Sequence, residues 1–270
     1  MTTGDHPLGD RLGPGVPHFP AAVGLSHLRV YDSPTPDGQI GGSPHMHLAS
    51  AEAYVVTQGS GRVETLSIEH GIADVDLVPG TIVWFEPGLI HRLINMGDLE
   101  ITVVMQNAGL PEAGDAVLAF PTGFLEDASR YASVALLPDG TEADRLAQAM
   151  RRRNLAVDGF VALRSAAHVG DLGPLRRFHE AAVRLRQPQV EAWRALWQRT
   201  ALAEALLTGT RLDEVAAGQT DLLQASRIHE MVPADDHAGI GMCGRLDTYL
   251  PEGVVALNPS LDAVSNPRRA

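Results

Sequence analysis

Apolar and polar residues alternate in short runs from residue 44 to residue 107, and the period then changes. AEAYVVTQ (51–58) stops at GSG, RVETLSIE (62–69) at HG and ADVDLV (73–78) at PG. TIVWF (81–85) stops at EPG and HRLIN (91–95) at MGD, and EITVVMQN (100–107) closes the series. A period of two marks strands with one buried face. Six short strands within about 65 residues leave no room for crossover helices, which predicts an antiparallel sandwich or barrel. LSHLRVYD (25–32) predicts one further strand ahead of them, ended by the turn-rich SPTPDGQIGGSP.

Beyond residue 140 the period becomes helical. TEADRLAQAMRRR (141–153) opens on a Thr-x-x-Asp cap and ends on arginines, which suits the helix dipole. PLRRFHEAAVRLRQ (174–187) has Pro174 in a first turn that tolerates it. PQVEAWRALWQRTALAEALLTG (188–209) predicts one long helix with Gly209 as its C-cap. MCGRLDTYLPEGVVALN (242–258) has extended character again. The expected layout is an N-terminal arm over 1–24, a β-barrel over 25–120, a mainly helical region over 121–240, and an extended return segment and tail over 241–270.

Composition narrows the class. The chain has 270 residues and 44% hydrophobic residues, enough for a real core. The formal net charge is −12, against the basic surface that nucleic acid requires. No apolar run approaches a membrane span and the first twenty residues do not resemble a signal peptide, so the expected setting is cytoplasmic, with no membrane partner. A single cysteine, Cys243, excludes an intramolecular disulfide and a cysteine-based metal site. The chain has no lysine, which removes Schiff-base chemistry and a Walker-type phosphate loop.

The chemistry concentrates in PHMHLASAEAYVVTQG (44–59). Residues i and i+2 of a strand share a face, so His45 and His47 point the same way and make a metal clamp. Glu52, at the start of the next strand, can add a carboxylate. His91, at the head of a later strand, can close the site from the opposite side. Tyr54 shares the face of Glu52 if the strand is regular, and Trp84 and Gln106 are further candidates for substrate contact. Arg62 and Arg92 are expected at the surface. His179, the IHEMVPADDHAG stretch with His229 and His237, and the pair Trp193 and Trp197 are expected to be structural.

Residues 45–59 resemble the first cupin motif, His-x-His-x4-Glu-x6-Gly, at His45, His47, Glu52 and Gly59. Residues 80–95 resemble the second, with Gly80, Gly88, His91 and Asn95 in place and the proline displaced to Pro87, where Glu86 stands in its usual position. The resemblance implies a double-stranded β-helix (jelly-roll) barrel holding one divalent metal ion per chain on His45, His47, Glu52 and His91. Iron, manganese, nickel, cobalt and zinc are the family's ions, and homodimers are common in it. The implied function is a metal-dependent enzyme acting on a small polar metabolite, by dioxygenation or sugar-type isomerisation. The alternative is a non-catalytic, metal- or ligand-binding sensor module.

Overall fold

The computed structural model describes residues 19–224, 226–233 and 239–251. The strands run in the order β1 (Gly24–Val30), β2 (His45–His47), β3 (Glu52–Ser67), β4 (Gly71–Leu77), β5 (Ile82–Phe85), β6 (Ile90–Met105) and β7 (Ala116–Leu118). After the helices come β8 (Met231–Pro233), β9 (Gly239–Ile240) and β10 (Gly244–Pro251). All pairings among them are antiparallel.

The frame is a ribbon of two 16-residue strands, β3 and β6, in register from Glu52↔Met105 to Leu66↔Ile90. Each had been expected as two strands separated by turns. Glycines bend these strands instead of ending them. Register shifts fall between Val56 and Gly61. Gly59 there has φ +73°, and a Cβ on it would lie 2.1 Å from the Asp98 carbonyl oxygen, so only glycine fits. Asn95 braces the same corner: its Oδ1 accepts from the backbone N–H groups of Gly97 and Leu99, and its Nδ2 donates to the Val30 carbonyl.

Because the ribbon bends, it serves two layers. Its Glu52–Met105 end joins β5 on one edge and β1 on the other, with β10 beyond β1. Its Leu66–Ile90 end joins β4 on one edge and β2 on the other, with β7 beyond β2. The two layers enclose an apolar core that includes Leu28, Val30, Val56, Leu93, Ile101 and Val103. This is the expected jelly-roll barrel, followed by an α-helical region.

The helices are α1 (Ala128–Ala135), α2 (Glu142–His168), α3 (Gly173–Arg186), α4 (Val190–Arg199), α5 (Ala201–Ala216) and α6 (Asp221–Gln224). The Thr141 side chain and Asp144 form the expected capping box of α2. That helix continues fifteen residues past Arg153, to His168. Gly159 within it is a crossing point: a Cβ there would sit 2.1 Å from the Ala119 carbonyl oxygen, so glycine lets the helix lie on the end of β7. The single helix expected over 188–209 is broken at Thr200, whose φ −113° and ψ −94° are not helical. Gly209 is not a C-cap, because Leu212 and Val215 sustain the helical pattern beyond it.

A second core lies between the barrel's outer face and helices α1–α3, and contains Met46, Val117, Phe120, Phe160 and Phe178. Met46 faces these helices, which therefore bury the back of the strand that carries His45 and His47. Two buried arginines of α2 fasten the contact. Arg152 donates to the carbonyls of Ala135 and Gly241, and Arg153 to those of Ser33, Pro34 and Gly41. Among the described residues, no helix is long and apolar enough to cross a membrane.

Candidate metal centre

Three strands carry the four candidate ligands, and the register explains their meeting. His45 pairs directly with His91 across β2 and β6, and His47 follows two residues on. Glu52 begins β3, where burial alternates so that Glu52, Tyr54 and Val56 point inward. All four residues are buried, and one ligand atom from each lies within 4.8 Å of the others. Among the described residues this is the only such group of three or more.

The donor atoms converge on the Glu52 carboxylate. From its Oε2, His91 Nε2 is 2.8 Å away, His47 Nε2 3.4 Å and His45 Nε2 4.0 Å. Yet His47 Nε2, His91 Nε2 and Glu52 Oε2 are buried with no partner in hydrogen-bond geometry. Buried polar atoms left unpaired are costly, and three aimed at one point fit a divalent cation.

The far side of each ring fixes which nitrogen is free. His45 Nδ1 lies 3.0 Å from the Ser43 carbonyl oxygen, His91 Nδ1 3.4 Å from that of Leu89, and His47 Nδ1 3.3 Å from Asp115 Oδ2. Each contact favours a proton on Nδ1 and leaves the Nε2 lone pair for a ligand role. Asp115 is itself held, because its Oδ1 accepts from the N–H groups of Leu48 (2.9 Å) and Ala49 (2.7 Å).

The protonation states follow from these partners. Burial drives His45 down to about 3, with the neighbouring His91 acting in the same direction. Burial also presses on His47, but the carboxylates of Asp115 and Glu52 outweigh it and bring the ring up to about 9. Burial disfavours charge on Glu52, yet the His91 and His47 imidazoles hold its carboxyl well below the usual carboxylate range. Without metal, a proton on His47 is the site's internal counter-charge to Glu52.

Of the candidates for substrate contact, only Tyr54 reaches the cluster. It is buried, its ring lies 6.0 Å from that of His91, and burial, followed by the nearby Glu52 carboxylate, pushes its phenol well above the usual range. Trp84 points away on the outer face and is 71% exposed. Strand alternation places its neighbour Phe85 inside instead, stacked on His91 with centroids 4.7 Å apart. Gln106 is exposed; its Oε1 accepts from the Ala51 N–H at 3.1 Å and so steadies the turn before Glu52.

Arg92, expected at the surface, is fully buried. It pairs with Asp37 at 2.6 Å and donates to Thr35, beneath the loop that follows β1. Arg62 is exposed and pairs with Asp76. His179 Nε2 contacts the Gly88 carbonyl at 2.9 Å, and Trp193 Nε1 donates to that of Ala113, so both brace the helices against the barrel. His237 lies outside the described residues. Asp115 has no local signature in sequence, since its contact with His47 spans 68 residues. The one hint was an acid directly preceding the apolar run AVLAF.

Residues 35–105 match the family model described as Cupin domain, a span that holds all four candidate ligands and Tyr54. No curated protein matches the chain. Among solved structures, a predicted oxalate decarboxylase from Thermotoga maritima is 21% identical, with 30% of this chain and 64% of that one covered and a TM-score of 0.24. The capsular polysaccharide assembling protein CapF from Staphylococcus aureus is 20% identical, covering 30% and 22%, with a TM-score of 0.23. The CENP-C cupin domain of Drosophila melanogaster is 18% identical, covering 31% and 58%, with a TM-score of 0.24. The match spans less than two thirds of each of these chains, and at these scores the likeness says nothing of activity.

Proposed function

We propose, from the match of residues 35–105 to the Cupin domain model, that the chain is a metal-dependent enzyme acting on a small polar molecule inside the barrel, of the dioxygenase or sugar-isomerase class. The observation that carries the reading is the convergence of three unpaired, buried donor atoms on one point. His45, His47, Glu52 and His91 would hold one divalent ion: iron, manganese, nickel, cobalt or zinc. Such an ion with open positions supplies Lewis acidity or one-electron chemistry. The chain's own groups do the rest. Asp115 and the carbonyls of Ser43 and Leu89 orient the three rings, Tyr54 stands beside Glu52 on the inner face of β3, and Phe85 keeps water from the face of His91. Metal analysis of the purified protein with a substrate-dependent oxygen-uptake screen tests the reading. Iron with oxygen consumption supports the dioxygenase class, and zinc or manganese without it supports the isomerase class. A protein that retains no metal at any loading refutes both.

One observation favours a second reading, a sensor module. Helix α5 buries none of its residues, and it exposes Leu206, Leu212 and Val215 to solvent. An apolar stripe left exposed among the described residues is suited to pass a signal to a partner. Metal binding with no turnover of any small molecule, together with ligand-dependent protection of α5 in hydrogen exchange, would favour this second reading. Self-association as a homodimer belongs to either reading, and the exposed Ile82 and Trp84 on the outer face of β5 are the surface we propose for it.

A further inference from the structure

We propose that the site accepts a small molecule that is uncharged and apolar apart from the oxygen atoms it presents to the metal; this rests on the metal reading above and names its substrate class. The first support is the wall around the ligands. Phe85 stacks on His91, and Tyr54 meets Phe85 edge-to-face at 5.1 Å. The core behind them continues through Leu28, Val30 and Val103. Few polar atoms stand in this wall: the Tyr54 hydroxyl lies among aromatic and aliphatic side chains, and Cys243 Sγ, 3.8 Å from His45 Nδ1, already lies 3.6 Å from the Ser43 carbonyl oxygen. A sugar brings many hydroxyl groups, and each one buried here without a partner counts against binding.

The second support is the placement of cations. A substrate carboxylate or phosphate inside a protein needs a paired cation. The chain has no lysine. Among the described residues the buried arginines are Arg92, Arg152 and Arg153. Arg92 is bound to Asp37 and Thr35, Arg152 to two backbone carbonyls and Arg153 to three. The third support is the charge of the centre itself. Glu52 and Asp115 together balance a divalent ion, and the three imidazoles are neutral as ligands. An anion entering the barrel therefore loses its water without meeting net positive charge. Of the two enzyme classes above, this wall suits oxygenation of an apolar body over isomerisation of a sugar.

The test uses the full chain loaded with cobalt(II), whose visible spectrum reports exchange of ligands at the ion. Two probes share a hydroxamate head and similar length: butyrohydroxamic acid, with an apolar tail, and succinic monohydroxamic acid, with a carboxylate at the tail's end. The neutral-tailed probe is expected to bind at least tenfold more tightly, by about 1.4 kcal/mol. Equal or tighter binding of the carboxylate-tailed probe overturns the substrate class, and so does a cobalt spectrum that responds to neither. A protein that takes up no cobalt overturns the metal reading, and this proposal with it.

Discussion

Replacing Asp115 with asparagine removes a charge from the site and leaves all four candidate ligands in the chain. The shape is kept, because Asn Oδ1 still accepts from the N–H groups of Leu48 and Ala49, as Asp115 does at 2.9 and 2.7 Å. What is lost is the charged acceptor 3.3 Å from His47 Nδ1. Outer partners of this kind are worth about 10–100-fold in metal affinity, or about 1.4–2.7 kcal/mol. A second effect works in the opposite direction. In the metal-free protein Asp115 helps hold His47 at about 9, so at pH 7 an incoming ion must displace a proton from Nε2. Two pH units correspond to about a hundredfold in apparent affinity at pH 7, and this competition disappears above pH 9. Asp115→Asn weakens the competition along with the ligand. The variant is therefore expected to bind about 10–100-fold more weakly at pH 9, with the gap narrowing at pH 7. Wild-type affinity should itself rise about tenfold per pH unit between 7 and 9. Chelator-competition titrations of both proteins at the two pH values measure all of this, with circular dichroism to confirm folding. Equal affinities at pH 9, or a gap that widens toward pH 7, would refute the assignment of Asp115.

Three further outcomes are expected. The folded metal-free protein holds the His47 proton more tightly than the unfolded chain, so its stabilisation is complete below about pH 6.5 and lost as pH rises through about 9; thermal melts across that window should show a decline that saturating metal abolishes, and a flat profile would contradict it. Gly159→Ala should destabilise by about 1–3 kcal/mol in urea unfolding, against the gain usual for Gly→Ala within a helix, because the added Cβ meets the Ala119 carbonyl oxygen; a neutral or stabilising result would deny the close crossing. Trp84→Arg should convert a dimer to a monomer in sedimentation velocity at tens of micromolar, about the range that captures affinities near −7 kcal/mol, and a wild-type monomer there would end the dimer proposal.

The clustering of His45, His47 and Glu52 was legible because it depends on short-range rules. Alternation puts His45 and His47 on one face, and the spacing to Glu52 is local to one turn. The same rule did not place Trp84, since adjacent residues face opposite ways and only the pairing of Ala53 with Trp84 settles that Phe85 is the one inside. The corner glycines were legible as punctuation but not as bends, because Gly59 and Gly61 end a strand or bend it depending on whether β6 follows alongside. Arg92 was misplaced because Asp37, the carboxylate that makes its burial tolerable, lies 55 residues away. Asp115 and Gly159 were hidden for the same reason: their roles exist only across a tertiary contact.

We propose that His45, His47, Glu52 and His91 hold one divalent ion as a unit. Metal content by mass spectrometry of wild type and His91→Ala, each purified after loading and desalting, tests it most directly. The account predicts one ion per chain in the wild type and under about a tenth of that in the variant, since loss of one buried ligand both removes a bond and opens the site. His179→Ala should keep full occupancy, because that ring contacts only the Gly88 carbonyl among backbone acceptors and none of the four ligands. Full stoichiometric metal in His91→Ala, or none in the loaded wild type, would contradict the account.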